Sequence, residues 1–148
     1  MASIKGGDKL EKILKEMAAK LGSGSAVRVG FLEGSTYPDG TSVPMVAAIQ
    51  EFGAPARKIP PRPFFRNMIA DKSPGWPKAI ADLLPANGYD VKKTLAQVGE
   101  GVAGQLRTSI TEFTTPANAP STIARKGFDK PLIDSGHLLA SVSYQVEE

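Results

Sequence analysis

Residues 37–66 read YPDGTSVPMVAAIQEFGAPARKIPPRPFFR and combine a turn, a short apolar helix and a proline-locked extended segment. The turn signal lies at positions 38–40, and Pro44 suits the first position of a helix that Gly53 ends. Beyond that glycine come four prolines, which have no backbone N–H to donate and favour extended geometry: Pro55, Pro60, Pro61 and Pro63. We therefore predict an ordered, irregular arm with a helix at its root, a form that typically contacts another protein.

Four further segments have clear hydrophobic periodicity. Apolar residues three and four positions apart predict helices over residues 8–21 and 90–113, and the second helix would be about 35 Å long. Alternating apolar and polar residues predict strands over residues 26–32 and 142–146, which are placed to pair with each other.

These elements predict an α+β fold formed by residues 1–148 as a single domain. We expect a small mixed or antiparallel sheet packed by a long central helix and by the N-terminal helix, with long ordered loops. The N-terminal helix, residues 8–21, is linked by a Gly/Ser hinge to the core, residues 26–148. The 148 residues match the commonest domain size. The chain also has 15 Gly and 12 Pro, which predicts long non-regular connections, among them residues 114–131.

The composition excludes several classes of chemistry. The chain has no cysteine, so disulfides, thiolate zinc sites and cysteine nucleophiles are excluded, and its single histidine argues against a transition-metal site. No apolar run approaches the roughly 18 residues of a membrane span, and the first residues lack the apolar core of a secretory signal. We predict no cofactor, no metal, no membrane contact and synthesis in a cytoplasm.

Three glycines, Gly99, Gly101 and Gly104, spell the G-x-G-x-x-G pattern of dinucleotide-binding loops. That pattern must follow a strand and open a helix, whereas here it lies inside the helix predicted over residues 90–113. We instead predict that these glycines let this helix lie close to a sheet or another helix.

The single histidine, His137, lies near Asp134 and Ser135. One interpretation is an acid–base group in a small catalytic constellation. The other is a polar residue in the first turn of a short helix that Asp134 caps. We favour the second, because a general base also needs a positioned nucleophile or a substrate pocket. We expect that the protein is not an enzyme.

Basic residues are concentrated in two places, although the net charge is only +3. No acid occurs between Glu51 and Asp71, and this interval carries Arg57, Lys58, Arg62 and Arg66. A second cluster contains Arg125, Lys126 and Lys130. Such a segment most often faces solvent or pairs with acids of a partner protein. The alternative is sequence-independent contact with nucleic acid, since Arg62 and Arg66 lie beside aromatic residues that can stack on bases.

Two blocks together resemble a known family. They are residues 37–66, quoted above, and residues 118–146, NAPSTIARKGFDKPLIDSGHLLASVSYQV. In this order, with a long helix between them, they are similar to the tail-completion or neck proteins of long-tailed bacteriophages. VRVGFLEG at residues 27–34 is similar to the opening strand of that family. The most specific parts are EFG…IPPRPFFR and KPLIDSG-x-L.

The resemblance implies a structural virion protein that completes the tail or joins it to the head connector around the DNA channel. It implies a homo-oligomeric ring, commonly six-fold, that contacts other neck, tail-terminator or tail-tube proteins, with possible non-specific contact to DNA. It implies a location in the virion after assembly in the host cytoplasm, and no catalytic residues. The candidate interface residues are Tyr37, Asp39, Arg57, Lys58, Ile59, Arg62, Phe64, Phe65, Arg66, Ile123, Lys126, Phe128 and Lys130. Of the two adjacent phenylalanines, we expect at most one at an interface.

Overall fold

The computed structural model describes residues 7–22, 24–127, 132 and 136–147. Its elements follow the chain as α1 Gly7–Leu21, β1 Ala26–Phe31, α2 Val43–Phe52, α3 Phe64–Lys72, α4 Trp76–Ala86, α5 Val91–Glu112, α6 Pro120–Lys126, α7 His137–Ala140 and β2 Val142–Glu147. Short 3₁₀ turns at Pro55–Arg57 and Ser73–Gly75 precede α3 and α4. The predicted α+β class is confirmed.

The predicted strands pair, and the predicted central helix packs on them. β1 and β2 form a two-stranded antiparallel sheet in which Val29 lies opposite Tyr144. α5 has 22 residues and contacts both strands. Its start is fixed by Asp90, whose carboxylate accepts a hydrogen bond of 3.0 Å from the backbone N–H of Lys93. Sheet and α5 together form the frame that carries the other elements.

Gly99 is the position at which α5 lies closest to the sheet. A Cβ at Gly99 would lie 2.7 Å from Tyr144 Cδ2 and 2.7 Å from Val27 Cγ2, closer than any real side chain allows. The prediction of close approach is therefore confirmed for Gly99. It is wrong for Gly101 and Gly104, where a Cβ would meet nothing within 4 Å.

The core lies between α5 and the elements that cover it. Phe64 of α3 and Leu106 of α5 are fully buried, and the Ser109 hydroxyl donates a 2.7 Å hydrogen bond to the Phe64 carbonyl. On the α4 side, the Trp76 indole N–H donates to Gln105 Oε1 at 2.9 Å. The buried apolar residues are Val43, Ala47, Phe64, Met68, Val98, Val102, Ala103, Leu106, Ile110, Leu132, Leu138 and Val142.

The N-terminal helix does not cover the sheet, so this part of the prediction is wrong. No residue of α1 is buried, and Leu10 and Leu14 of its apolar stripe are 58% and 55% exposed. α5 already packs on the sheet, and α1 is joined to β1 through residues 22–25, where Gly22 and Gly24 both have positive φ. The assignment of residues 1–148 to one domain stays a prediction.

Residues 114–131 were predicted to be irregular, but they contain α6. Pro120 begins this helix and Gly127 ends it with φ 79°, donating its N–H to the Ile123 carbonyl at 2.7 Å. α7 begins at His137 with Gly136 at the N-cap position, two residues later than a helix capped by Asp134 would begin, and Asp134 itself lies outside the described residues.

Candidate binding cleft

The two irregular segments meet at one open cleft of about 930 Å³. We call residues 53–63 the first arm and residues 113–127 the second arm. Tyr37 and Asp39 line the cleft together with Val46 and Gln50 of α2, and both arms contribute further residues. Leu132 and Leu138 add apolar surface from the second of the two sequence blocks. Two stretches that are distant in sequence therefore form one surface.

The first arm is held against α2 by its backbone. Gly53 has φ 76°, and a Cβ there would lie 2.8 Å from Pro61 N and 2.9 Å from Ile59 O, so only glycine fits. Ala54 and Ile59 form an isolated antiparallel bridge. The Arg62 N–H donates to the Gln50 carbonyl at 2.6 Å. The arm is thus an ordered loop on a rigid support.

Arg62 joins the two arms. Its Nε donates to the Pro116 carbonyl at 3.1 Å and its Nη2 donates to the Ala117 carbonyl at 3.2 Å. Its Nη1 donates to Gln50 Oε1 at 2.9 Å. The residue is only 6% exposed. The expectation that Arg62 is a surface contact is therefore corrected: its planar guanidinium holds the cleft together.

The lining of the cleft is rich in positive charge. Among the described lining residues, the only acid is Asp39, and the basic ones are Arg57, Lys58, Arg62, Arg125 and Lys126. The Asp39 carboxylate accepts a 2.9 Å hydrogen bond from the backbone N–H of Thr41. This bond, with one from the Thr41 side chain, lowers the pKa of Asp39. Charge and apolar surface together suit a partner with acidic groups.

Tyr37 and His137 contact each other beside this cleft. Their ring centroids lie 5.5 Å apart at an interplanar angle of 38°. His137 is the first residue of α7, the location expected for a polar residue in the first turn of a short helix. The other two members of the catalytic alternative, Asp134 and Ser135, lie outside the described residues.

Three candidate residues lie at a different place, around Glu51 at the end of α2. Phe64 is 0% exposed, so its inclusion among interface residues is corrected: its ring fills the core. Phe65 is half-buried and its ring lies edge-on to Phe31, with centroids 6.3 Å apart. Arg66 lies over the Phe52 ring, with Cζ 5.2 Å from the centroid.

Glu51 is a buried acid whose role the sequence analysis missed. Its carboxylate accepts hydrogen bonds from the backbone N–H groups of Phe65, at 3.0 Å, and Arg66, at 3.2 Å. It also accepts one from Arg66 Nε at 2.6 Å. These N–H groups begin α3, where Pro63 at the N-cap position offers no side-chain acceptor. The missing cap at Pro63 was the available signal, because it leaves the first N–H groups of α3 open to an acceptor from elsewhere in the chain.

Of the remaining candidates, some lie in the second arm and the others lie outside the described residues. Lys126 lines the cleft, whereas Ile123, half-buried on α6, does not. Phe128 and Lys130 lie outside the described residues. Tyr37, Asp39, Arg57, Lys58, Ile59, Arg62 and Lys126 are thus the candidates that the structure brings to one cleft.

The outer side of α2 is apolar and exposed. Met45 and Phe52 are 52% and 66% exposed, and Ala48 lies between them on the same side of the helix. Beside Ala48 and Phe52 there is a small cavity of about 240 Å³, also lined by Phe31 and Phe65. We call Met45, Ala48 and Phe52 the α2 face. The sequence analysis did not identify it.

No protein-family model, no curated protein and no solved structure matches this chain. Among the residues that the structure describes, no group of three or more His, Cys, Asp or Glu side chains could hold a metal ion. Within the same residues, none of the helices has the length and apolar character needed to cross a bilayer.

Proposed function

We propose that this chain is a structural subunit of the neck or tail of a tailed bacteriophage, and that it forms a homo-oligomeric ring around the DNA channel. One observation carries the proposal. The two blocks that resemble the tail-completion family fold into a single cleft, and Arg62 of the first block is hydrogen-bonded to Pro116 and Ala117, just before the second. Because both blocks contribute to the same surface, we infer that they act together in contact with a partner.

The order of the first arm supports this role. A loop that is already fixed by Gly53, by the bridge of Ala54 to Ile59 and by Arg62 loses little conformational entropy when it binds. Its Arg57 and Lys58 side chains are exposed on that rigid support. In the proposed ring, six copies present this surface to each other and to neck, tail-terminator or tail-tube proteins. The protein has no catalytic step and is incorporated into the virion in the host cytoplasm.

Imaging of purified phage particles, with this chain localised in them, tests the proposal. We expect a closed ring between the head connector and the tail tube. Absence of the chain from particles, together with a monomer in solution at all concentrations, would overturn the proposal.

A charge-reversal pair tests whether the cleft is the contact surface. Lys58→Glu combined with Arg125→Glu should lower the incorporation of the chain into particles, because it removes two cations from the cleft lining. Lys93→Glu is the control for each of the two single variants, since it changes the net charge equally and Lys93 is exposed on α5 and does not line the cleft. Equal incorporation of the cleft variants and this control would argue against the cleft as the contact.

The concentration of cations in the cleft favours one second candidate, a sequence-independent nucleic-acid-binding module. Arg57, Lys58, Arg125 and Lys126 could contact phosphates. Arg66, which the sequence also suggested for this role, pairs with Glu51 away from the cleft. Anisotropy of a labelled oligonucleotide should then show affinity that falls by roughly 50- to 150-fold between 50 and 200 mM salt, as expected for about four phosphate contacts. It should also be lost in the double charge-reversal variant but not in Lys93→Glu.

A further inference from the structure

α1 is an amphipathic helix whose apolar stripe has no partner in the described structure. Leu10, Ile13, Leu14 and Leu21 are 58%, 40%, 55% and 39% exposed. They recur three, four and seven positions apart and so share one side of the helix. An isolated helix of 15 residues is marginal in water even with good helix formers. The stripe is therefore suited to a contact with another apolar surface.

α2 offers an apolar surface of matching character. Its polar side chains are Gln50 and Glu51, and both are engaged inside the chain, with Arg62 and with the start of α3. The outer side of α2 is left with Met45, Ala48 and Phe52 and no charge. A helix with no charged or polar side facing solvent is normally buried on every side, so the exposed side of α2 is expected to be covered by another apolar surface.

We propose that α1 of one copy docks on the α2 face of the next copy. This is the helix-in-groove mode of recognition, in which apolar residues spaced as Leu10, Leu14 and Leu21 enter an apolar groove. The cavity beside Phe52 provides the groove. Arg66 borders the groove, where it is paired with Glu51 and lies over the Phe52 ring.

The length of the connection favours a second copy over the same copy. Residues 22–25 let Leu21 reach at most about 17 Å from Ala26. Ala26 and Phe31 are the two ends of β1 and lie roughly 17 Å apart. Phe31 is the end that lies beside the α2 face. Leu21 reaches its own α2 face only if residues 22–25 run fully extended along β1. If α1 instead folds back along β1, only its first turns reach that face. A neighbouring copy removes this limit.

The donor and acceptor surfaces differ, so the contact is heterologous. Repetition of such a contact gives a ring when its rotation closes and a filament when it does not. Closure into a ring is the part of this inference that rests on the proposed function; the contact itself does not.

Cross-linking between copies tests the inference, and the absence of native cysteine removes all background. We would mix a Leu14→Cys variant with an Ala48→Cys variant and oxidise the full-length proteins, so that a disulfide can form directly between the two cysteines. The matched control replaces Leu14→Cys by Lys15→Cys, because Lys15 is one residue away on the polar side of α1. A covalent dimer should form about tenfold more in the test pair than in the control, as a geometry-dependent reaction requires.

Four results would overturn the inference. Equal yields for the two pairs at the highest attainable protein concentration would mean that the docking does not occur. An internal link in a Leu14→Cys/Ala48→Cys double variant, without dimers, would mean that α1 covers its own chain. A preference for Leu14→Cys homodimers would mean that α1 pairs with itself. Normal native mass for Leu14→Asp would mean that assembly does not use the stripe.

The same samples separate this inference from the proposed ring. A ring seen by electron microscopy without the α1–α2 cross-link would overturn the docking alone. The cross-link in filaments or open chains, without rings, would overturn the ring alone. Leu14→Asp should keep the thermal unfolding midpoint of the core, because no α1 residue is buried. If that variant does not assemble, unfolding is therefore not the cause. Lys15→Asp is its control and should assemble normally.

Discussion

Glu51 Oε1 lies 2.6 Å from Arg66 Nε, and the two side chains differ in environment: the Glu51 side chain is 7% exposed and that of Arg66 is 57% exposed. The same carboxylate also accepts the backbone N–H groups of Phe65 and Arg66. One buried acid thus joins the end of α2 to the start of α3 across the proline-rich first arm. Because α2 carries the apolar face and the arm forms part of the cleft, this contact positions both proposed binding surfaces.

Glu51→Ala should destabilise the fold by about 2–4 kcal/mol, since it leaves two backbone donors at the α3 start without their acceptor. Arg66→Ala should cost less, about 1–2 kcal/mol, because the buried Glu51 carboxylate loses its counter-ion but keeps both backbone donors. Urea unfolding followed by circular dichroism measures both free energies. Equal costs for the two variants would contradict this account of Glu51.

Gly99→Ala and Gly101→Ala should change stability in opposite directions. A methyl group at Gly99 would collide with Tyr144 and Val27, and we expect a loss of about 1–3 kcal/mol. A methyl group at Gly101 would meet nothing within 4 Å, and we expect a gain of up to about 1 kcal/mol from helix propensity. The thermal unfolding midpoints of the two variants against wild type check the signs. Destabilisation by both would mean that the surroundings of Gly101 are not open.

Two phenylalanines separate folding from assembly. Phe64→Ala should destabilise the chain by about 3–5 kcal/mol because its fully buried ring leaves a cavity. Phe52→Ala should change stability by only about 0.5 kcal/mol, because 66% of that residue is exposed. Phe52→Ala should nevertheless reduce the native mass measured by light scattering, since the α2 face loses its largest side chain. Unchanged mass would argue against that face as a contact.

Asp39 should titrate below the ordinary range of an aspartate. Hydrogen bonds from the Thr41 backbone and side chain stabilise its ionised form and lower its pKa. A lowered pKa in the folded state means that the turn is stabilised above the unfolded pKa, and that this contribution is lost as pH falls through the folded pKa. An NMR titration of the Asp39 carboxyl measures the pKa directly. Asp39→Asn should remove the dependence, and a pKa at or above the ordinary value would refute the turn geometry.

The elements fixed by long periodic patterns were predictable. α5 has apolar residues at helical spacing and a cap at Asp90, and β1 and β2 alternate clearly, so their type and pairing followed from sequence. α6 was missed because seven residues that begin with Pro120 carry too little periodicity. For α1, the stripe predicted a buried face, but periodicity does not say which molecule covers it.

The candidate site was harder to predict for a physical reason. Between Arg62 and Arg66, neighbouring side chains differ in burial from one position to the next. Which of them is buried depends on tertiary packing, which a local sequence pattern does not reveal. Arg62 and Phe64 point inward, while Arg66 stays partly exposed. Glu51 meets partners 14 and 15 positions later, beyond any local pattern. The sequence analysis predicted neither the convergence of the two blocks on one cleft nor the hydrogen bonds of Arg62 that join the two arms.

The connection between α1 and β1 has only four residues, 22–25. Once two copies lie side by side, such a short tether holds each α1 at an effective concentration in the millimolar range near the neighbouring surface. A helix that binds too weakly to be detected as a free peptide would then be docked most of the time. Lengthening this connection with additional Gly–Ser pairs would lower that effective concentration without changing any contact, so in the proposed assembly the tether length would set the avidity.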